Sequence, residues 1–134
     1  MLTIEDKLAI HELISLYGHI VDERQFSRTH EIFTDDAIYD VSDFKSGVHI
    51  GHMAIAVMWA AESRHPLAHH ATNVVVVEDT DGVVRVVSKG IGLIADGRVG
   101  SVTYRDIVEK RAEGWRITER VATLRRADRI PAPS

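Results

Sequence analysis

The chain changes its hydrophobic period once, at Pro66. Before this residue, apolar side chains recur at three- and four-residue steps, a pattern that indicates helices. After it, apolar segments alternate with short turn sequences, which indicates strands. Helices followed by a long antiparallel meander are typical of an α+β domain in which the sheet curves over the helices. We therefore expect one α+β domain over residues 1–129 and a flexible C-terminal tail over 130–134.

The first helix is predicted to begin near Ile4. Thr3 and Asp6 resemble a capping signal, and acidic residues in a first turn suit the helix dipole. Its predicted buried stripe consists of Ile10, Leu13, Ile14, Tyr17 and Val21. The elements predicted next are a short helix over 27–33, a turn at 34–36, a short strand over 37–41 and a helix over 52–62.

Four long strands are predicted after Pro66, over 67–78, 83–95, 99–110 and 115–125. The intervening sequences Thr80-Asp81-Gly82, Asp96-Gly97 and Glu113-Gly114 supply the positive backbone angles that tight hairpins require. This part of the chain should therefore form consecutive antiparallel hairpins.

The first of these strands opens with two imidazoles, in the sequence PLAHHATNVVVV over 66–77. A strand that is polar at one end and continuously apolar at the other suits the wall of a pocket. Strict alternation places His69 and Asn73 on one face, and His70 and Thr72 on the opposite one. We therefore expect only one histidine of the pair to face a cavity.

Composition excludes several classes of protein. The formal net charge is -4 and the late arginines read as a solvated face, so the basic footprint of a nucleic-acid binder is absent. There is no cysteine, which excludes disulfides and thiolate chemistry. The N-terminal sequence lacks the pattern of a signal peptide, and no segment approaches the roughly 20 apolar residues of a membrane span. These features favour a cytoplasmic protein that binds neither nucleic acid nor membrane.

Several short sequences together resemble the SnoaL-like family of the nuclear-transport-factor-two-like superfamily. They are Leu16-Tyr17 with Val21-Asp22, the run Ile32–Ala37, His69-x-x-Thr72-Asn73, and Gly114–Ile117 followed by Arg120. The resemblance implies a cone-shaped fold, with N-terminal helices packed into a curved, mostly antiparallel sheet.

The resemblance also implies site residues. In dehydratase and dehydrochlorinase members, an aspartate late in the first helix pairs with a histidine on the first long strand, and the histidine removes a proton. The matching positions are Asp22 and His69, and the spacing to Asn73 selects His69 over His70. Members of the family also use a tyrosine that matches Tyr17 and an arginine that matches Arg120.

These matches predict a cofactor-independent lyase or isomerase that acts on a hydrophobic cyclic or polyketide-like small molecule. His69 is the expected base, Asp22 its orienting partner and Tyr17 a hydrogen-bond donor to developing charge. The expected substrate-binding residues are Tyr39, Trp59, Asn73, Tyr104 and Arg120. No metal site is expected, because no helical His-x-x-x-His pair occurs.

Two departures and one alternative bear on this hypothesis. Ketosteroid isomerases place an aspartate at the end of the first strand, where this chain has Val41, and Asp40 is one residue out of register. Arg105-Asp106 resembles a fragment of an epoxide-hydrolase relay, but adjacent residues point to opposite faces of a strand. The alternative is a non-catalytic ligand-binding or assembly module like the small subunits of ring-hydroxylating dioxygenases.

A homodimer or homotrimer is also expected, since a wide apolar sheet surface usually marks an interface. This outer surface is expected to have Val74, Val76, Val84 or Val86 pointing partly outward.

Overall fold

The computed structural model describes all 134 residues, from Met1 to Ser134. It contains two helices and six strands, and both helices precede the four long strands, as predicted. The helices are α1, Ile4–Asp22, and α2, His52–Ala61. The strands are β1, Phe33–Asp40, β2, Val48–Ile50, β3, Ala68–Glu78, β4, Val84–Leu93, β5, Val99–Arg111, and β6, Gly114–Leu124. Short 3-10 helices occupy Phe26–Glu31, Ser42–Phe44 and Ala127–Arg129.

The strands form one mixed sheet in the order β2-β1-β6-β5-β4-β3. All neighbours are antiparallel except β1 and β6, which run parallel. The predicted α+β class and the four long strands are confirmed. The parallel pair places the first strand beside the last, so the cavity-lining residues of β1, β6 and β5 lie on three adjacent strands.

The N-terminal predictions need correction between α1 and α2. The short helix over 27–33 is a 3-10 helix that ends at Glu31, and the turn at 34–36 lies inside β1. The pairing of β1 with β6 shifts register between Phe33 and Ile38, so the turn-forming residues bulge within a strand instead of ending it. β2 has only three residues and was not predicted.

The start of α1 and its buried stripe are as predicted. The Thr3 hydroxyl accepts from the Asp6 backbone and the Asp6 carboxylate accepts from the Thr3 backbone, which completes a capping box. All five predicted stripe residues are buried and join the main core cluster with Ile20, Phe33 and Trp59. Neither helix is long and apolar enough to cross a membrane.

Strand β3 carries a bulge that reverses its alternation. The pairing of β3 with β4 shifts register between Thr72 and Val75, and Asn73 adopts a left-handed backbone angle, φ 55. Beyond the bulge, Val75 is 58% exposed, whereas Val74 and Val76 pack against the core. The expectation that Val74 and Val76 face outward is therefore wrong.

The expectation for Val84 and Val86 is wrong for a simpler reason. Alternate residues of β4 point into the core, and both of these valines are on that inner set, with exposures of 6% and 0%. The exposed apolar residues of the outer face are instead Val75, Val77, Val87, Ile91, Leu93 and Val99.

Candidate active site

The end of α1 lies very close to the start of β3, and Gly18 makes this approach possible. A Cβ atom placed on Gly18 would lie 2.6 Å from the backbone oxygen of His69, which is closer than real Cβ contacts. A residue with any side chain would therefore push the helix away from the strand. Asp22 follows one turn later, so the same approach brings its carboxylate to His69.

Asp22 and His69 form a two-point contact. The Nδ1 of His69 lies 2.6 Å from Oδ1 of Asp22, and the backbone N–H of His69 donates to Oδ2 at 2.9 Å. Since a carboxylate only accepts, this contact assigns the proton of a neutral imidazole to Nδ1 and leaves Nε2 as the acceptor. The two side chains are 14% and 20% exposed for His69 and Asp22, so the pair remains reachable.

His69 lines a cavity of about 360 Å³ that is mostly apolar. This volume lies at the lower end of the range typical of small-molecule sites. The lining residues are Tyr17, Tyr39, Val41, Phe44, Ser46, Met58, Glu62, Arg64, His65, Pro66, His69, Gly92, Ile94, Gly100, Val102, Tyr104, Ala122 and Leu124.

All three tyrosines of the chain line this cavity. The hydroxyls of Tyr17 and Tyr39 share a hydrogen bond of 2.8 Å, and the indole N–H of Trp59 donates to the Tyr39 hydroxyl at 3.4 Å. The Tyr104 ring lies over Gly90, where a Cβ atom would come within 2.5 Å of it. Glycine at this position of β4 thus makes room for the third phenol.

The three phenols remain neutral at ordinary pH. Burial raises the pKa of Tyr17 well above its usual value and also raises the pKa of Tyr39. Burial likewise raises the pKa of Tyr104, to about 12. Neutral phenols can donate hydrogen bonds, so the cavity contains donors together with the imidazole of His69, whose ring centroid lies 6.2 Å from that of Tyr17.

A second carboxylate pair lies behind the tyrosines. The Nε and Nη2 of Arg120 donate to the two oxygens of Asp106 at 2.7 Å and 2.8 Å. The side chains are 1% and 0% exposed for Arg120 and Asp106. Burial alone would lower the pKa of Arg120, but the adjacent Asp106 charge and its hydrogen bonds raise it above the usual value.

Four of the eight predicted site residues line the cavity, Tyr17, Tyr39, His69 and Tyr104, and Asp22 joins the site through its contact with His69. His70 is exposed, as the alternation predicts for the outer face.

The other three predicted residues do not line the cavity. Asn73 is exposed, because the bulge in β3 breaks the alternation that placed it beside His69. Trp59 is fully buried beneath Tyr39, and Arg120 is buried against Asp106. Direct contact of these three side chains with a ligand in the cavity is therefore not available in this arrangement.

Two further residues lie near this site, and the sequence patterns gave neither of them a role in it. Asp106 shares the inner face of β5 with Tyr104, so alternation from that tyrosine would have located it. His65 also lines the cavity, with its ring centroid 5.9 Å from that of His69. Burial, and then the neighbouring His69, lower the pKa of His65, which favours its neutral form.

No three His, Asp or Glu side chains come together in an arrangement that could hold a metal ion.

A curved mixed sheet packed against N-terminal helices, with a cavity between them, is the cystatin-like fold of nuclear-transport-factor-two-like proteins. Solved structures show the same architecture. A candidate aromatic ring hydroxylase from Novosphingobium aromaticivorans is 29% identical, with a TM-score of 0.71 and 92% of each chain covered. An NTF2-like protein with a cystatin-like fold from the same species is 25% identical, with a TM-score of 0.70, over 90% of this chain and 82% of that one.

Another similar structure is the hexachlorocyclohexane dehydrochlorinase LinA-type3 from Novosphingobium barchaimii LL02. It is 20% identical, with a TM-score of 0.76, over 98% of this chain and 97% of that one. At this identity the likeness shows the fold alone. No curated protein matches the chain significantly.

The family model of the SnoaL-like domain matches residues 2–121, and the chain belongs to this family. The resemblance stated from the sequence is therefore confirmed. The family includes dehydratases and isomerases that act on small molecules, and it also has non-catalytic members.

Proposed function

We propose that the protein is a lyase or isomerase that removes a proton from carbon in a hydrophobic cyclic small molecule. The observation that carries this proposal is the contact between Asp22 and His69 at a cavity lined by three phenols. A positioned imidazole whose far nitrogen is held by a carboxylate is a suitable base near neutral pH. The alternative, a non-catalytic binding or assembly module, requires no such contact.

The proposed reaction begins at Nε2 of His69, which takes a proton from a carbon next to a carbonyl or hydroxyl-bearing carbon. Asp22 stabilises the resulting imidazolium. In an elimination, the electrons of the C–H bond form a C=C bond, the neighbouring C–O bond breaks, and the imidazolium returns its proton to the departing oxygen as water forms. In an isomerisation, the imidazolium returns the proton to a different carbon.

The tyrosines would stabilise the oxygen on which negative charge develops. Tyr17 and Tyr39 are linked through their hydroxyls, and the Trp59 N–H donates to Tyr39, so this chain of donors is already oriented. One such donor is typically worth roughly 10² to 10³ in rate, and general base catalysis about 10² to 10⁴. Together these contributions are sufficient for an activated C–H bond without a cofactor.

Hydrogen exchange tests this proposal without a known product. A panel of cyclic ketones and hydroxyketones would be incubated with the protein in D₂O, and deuterium uptake at the acidic carbon would be followed by NMR. For any compound that the wild type exchanges, His69→Ala should reduce the rate by about 10² to 10⁴.

The matched control is His70→Ala, which removes the neighbouring imidazole on the exposed face and should leave the exchange rate unchanged. Equal loss in both variants, or no loss in His69→Ala, would contradict the assignment of the base. A wild type that binds panel members but exchanges none of them would favour the non-catalytic module.

A further inference from the structure

The guanidinium of Arg120 lies against the rings of two of the cavity tyrosines. Its Cζ lies 4.4 Å from the ring centroid of Tyr17 and 4.1 Å from that of Tyr104. Both distances are within the range of cation–π contacts. The rings line the cavity and Arg120 does not, so the cation lies directly behind the two phenols.

The guanidinium of Arg120 is held in place and stays positively charged. Asp106 holds the Nε–Nη2 edge of the guanidinium through bidentate hydrogen bonds, and both side chains are excluded from water. The remaining nitrogen, Nη1, is buried and has no hydrogen-bond partner. The arginine therefore cannot turn toward a ligand without breaking the pair, and its other contacts include the two aromatic rings.

A fixed cation against a phenol ring favours negative charge on the phenol oxygen. Burial is the larger effect on both phenols and raises the pKa of each, while the charge of Arg120 acts in the opposite direction and lowers both pKa values. A phenol that tolerates more negative charge is a stronger hydrogen-bond donor to an oxyanion. The effect of Arg120 thus reaches the cavity through the two rings.

We propose that Arg120 is a positioning residue that orients Tyr17 and Tyr104 and strengthens their hydrogen bonds to an anionic oxygen of the ligand, with Asp106 holding it in place. The substrate class that follows is a small molecule whose oxygen becomes an enolate or phenolate during the reaction. This inference rests on the proposed function for the role of the oxyanion, and it assigns Arg120 an action through other residues instead of direct ligand binding.

Binding of substituted 2-naphthols, followed by their fluorescence, tests the inference without turnover. Naphthols of different acidity allow the neutral and the anionic form to be compared at one pH. The test variant is Asp106→Leu with Arg120→Met, because replacing a buried ion pair by apolar residues is often neutral for folding. Circular dichroism would verify that each variant is folded.

The wild type should bind the naphtholate more tightly than the neutral naphthol. In the double variant, the naphtholate should bind roughly tenfold more weakly while the neutral form changes by less than about twofold, as expected for loss of a partly compensated charge a few ångströms away. Arg120→Lys, which keeps the cation, should retain most of the preference for the anion. Arg116→Met removes an arginine from the same strand that contacts neither tyrosine, and should retain all of it.

Equal weakening of both forms in the double variant would indicate a structural role only and would overturn the inference. So would a wild type with no preference for the anion, or a preference that survives removal of Arg120 and Asp106. Proton abstraction is tested separately, by deuterium exchange in His69→Ala, so a wrong proton-abstraction mechanism and a wrong role for Arg120 give different results.

Discussion

The molecule contains two carboxylate pairs within one site, and they differ in what their nitrogen partner can do. Asp22 holds the imidazole of His69 at the cavity, and Asp106 holds the guanidinium of Arg120 behind it. Imidazole has two tautomers and titrates near neutral pH as an isolated group, whereas guanidinium stays protonated. The first pair is chemically able to exchange a proton, whereas the second keeps its charge.

This difference shows why similar contacts occur at different depths. The Asp22–His69 pair is partly exposed and His69 lines the cavity, as the proposed reaction with a substrate requires. A pair that only supplies a fixed charge is most effective where water is excluded, because screening is weakest there. The same aspartate-to-asparagine substitution in each pair should therefore have opposite consequences for stability and reaction.

The largest effect on stability is expected for Asp106→Asn. The substitution preserves shape but places an amide against a buried cation that cannot lose its proton. Breaking a buried pair in this way typically costs about 3–5 kcal/mol of the free energy of unfolding, which urea denaturation would measure. Asp106→Leu with Arg120→Met should be much closer to the wild type. If Asp106→Asn is as stable as the wild type, Asp106 does not stabilise the buried charge of Arg120.

Alkaline pH should destabilise the fold through the tyrosines next to the fixed pair. An unfolded tyrosine loses its proton near pH 10, whereas Tyr104 keeps it until about 12. Because the folded state binds more protons in this interval, stability is complete below pH 10 and falls as the pH rises toward 12, by roughly 3 kcal/mol for a shift of two pKa units. Tyrosinate absorbance recorded alongside circular dichroism would test this. Ionisation near pH 10 in the folded protein would contradict it.

The smallest effect on stability is expected for Asp22→Asn. An asparagine oxygen can still accept from the backbone N–H of His69, and its amide can donate to Nδ1 of the other imidazole tautomer. The free energy of unfolding should therefore fall by no more than about 1 kcal/mol, the net value of a typical hydrogen bond. Deuterium exchange should nevertheless be lost, since Nε2 then carries the proton. A loss of stability as large as that of Asp106→Asn would contradict the prediction that the two pairs differ in their contribution to folding.

The sequence predicted the exchangeable pair better than the fixed one, for reasons that lie in the residues themselves. His69 precedes the bulge, so strand alternation from the start of β3 assigns its face correctly. Asn73 lies at the bulge, where pairing with β4 changes the register. No local sequence pattern predicts this bulge.

Arg120 shows a different limit. Strict alternation from the buried Ile117 would turn it outward, but a register shift between β5 and β6 brings Ile117 and Arg120, three residues apart, to the same inner face. The same pairing sets Asp106 opposite Arg120. The sequence of either strand alone does not predict this register. The buried stripe of α1 could be predicted because helical period and capping are local properties, whereas the parallel contact of β1 with β6 joins residues far apart in the chain.

Gly18 also bears on how related chains can be compared. Its missing side chain sets the distance between the helix that carries Asp22 and the strand that carries His69. A homologue with a larger residue at this position cannot keep the same spacing, even if it retains both the aspartate and the histidine. A glycine four residues before the aspartate therefore identifies homologues in which the aspartate can reach the histidine. This test needs only the amino-acid sequence of the homologue.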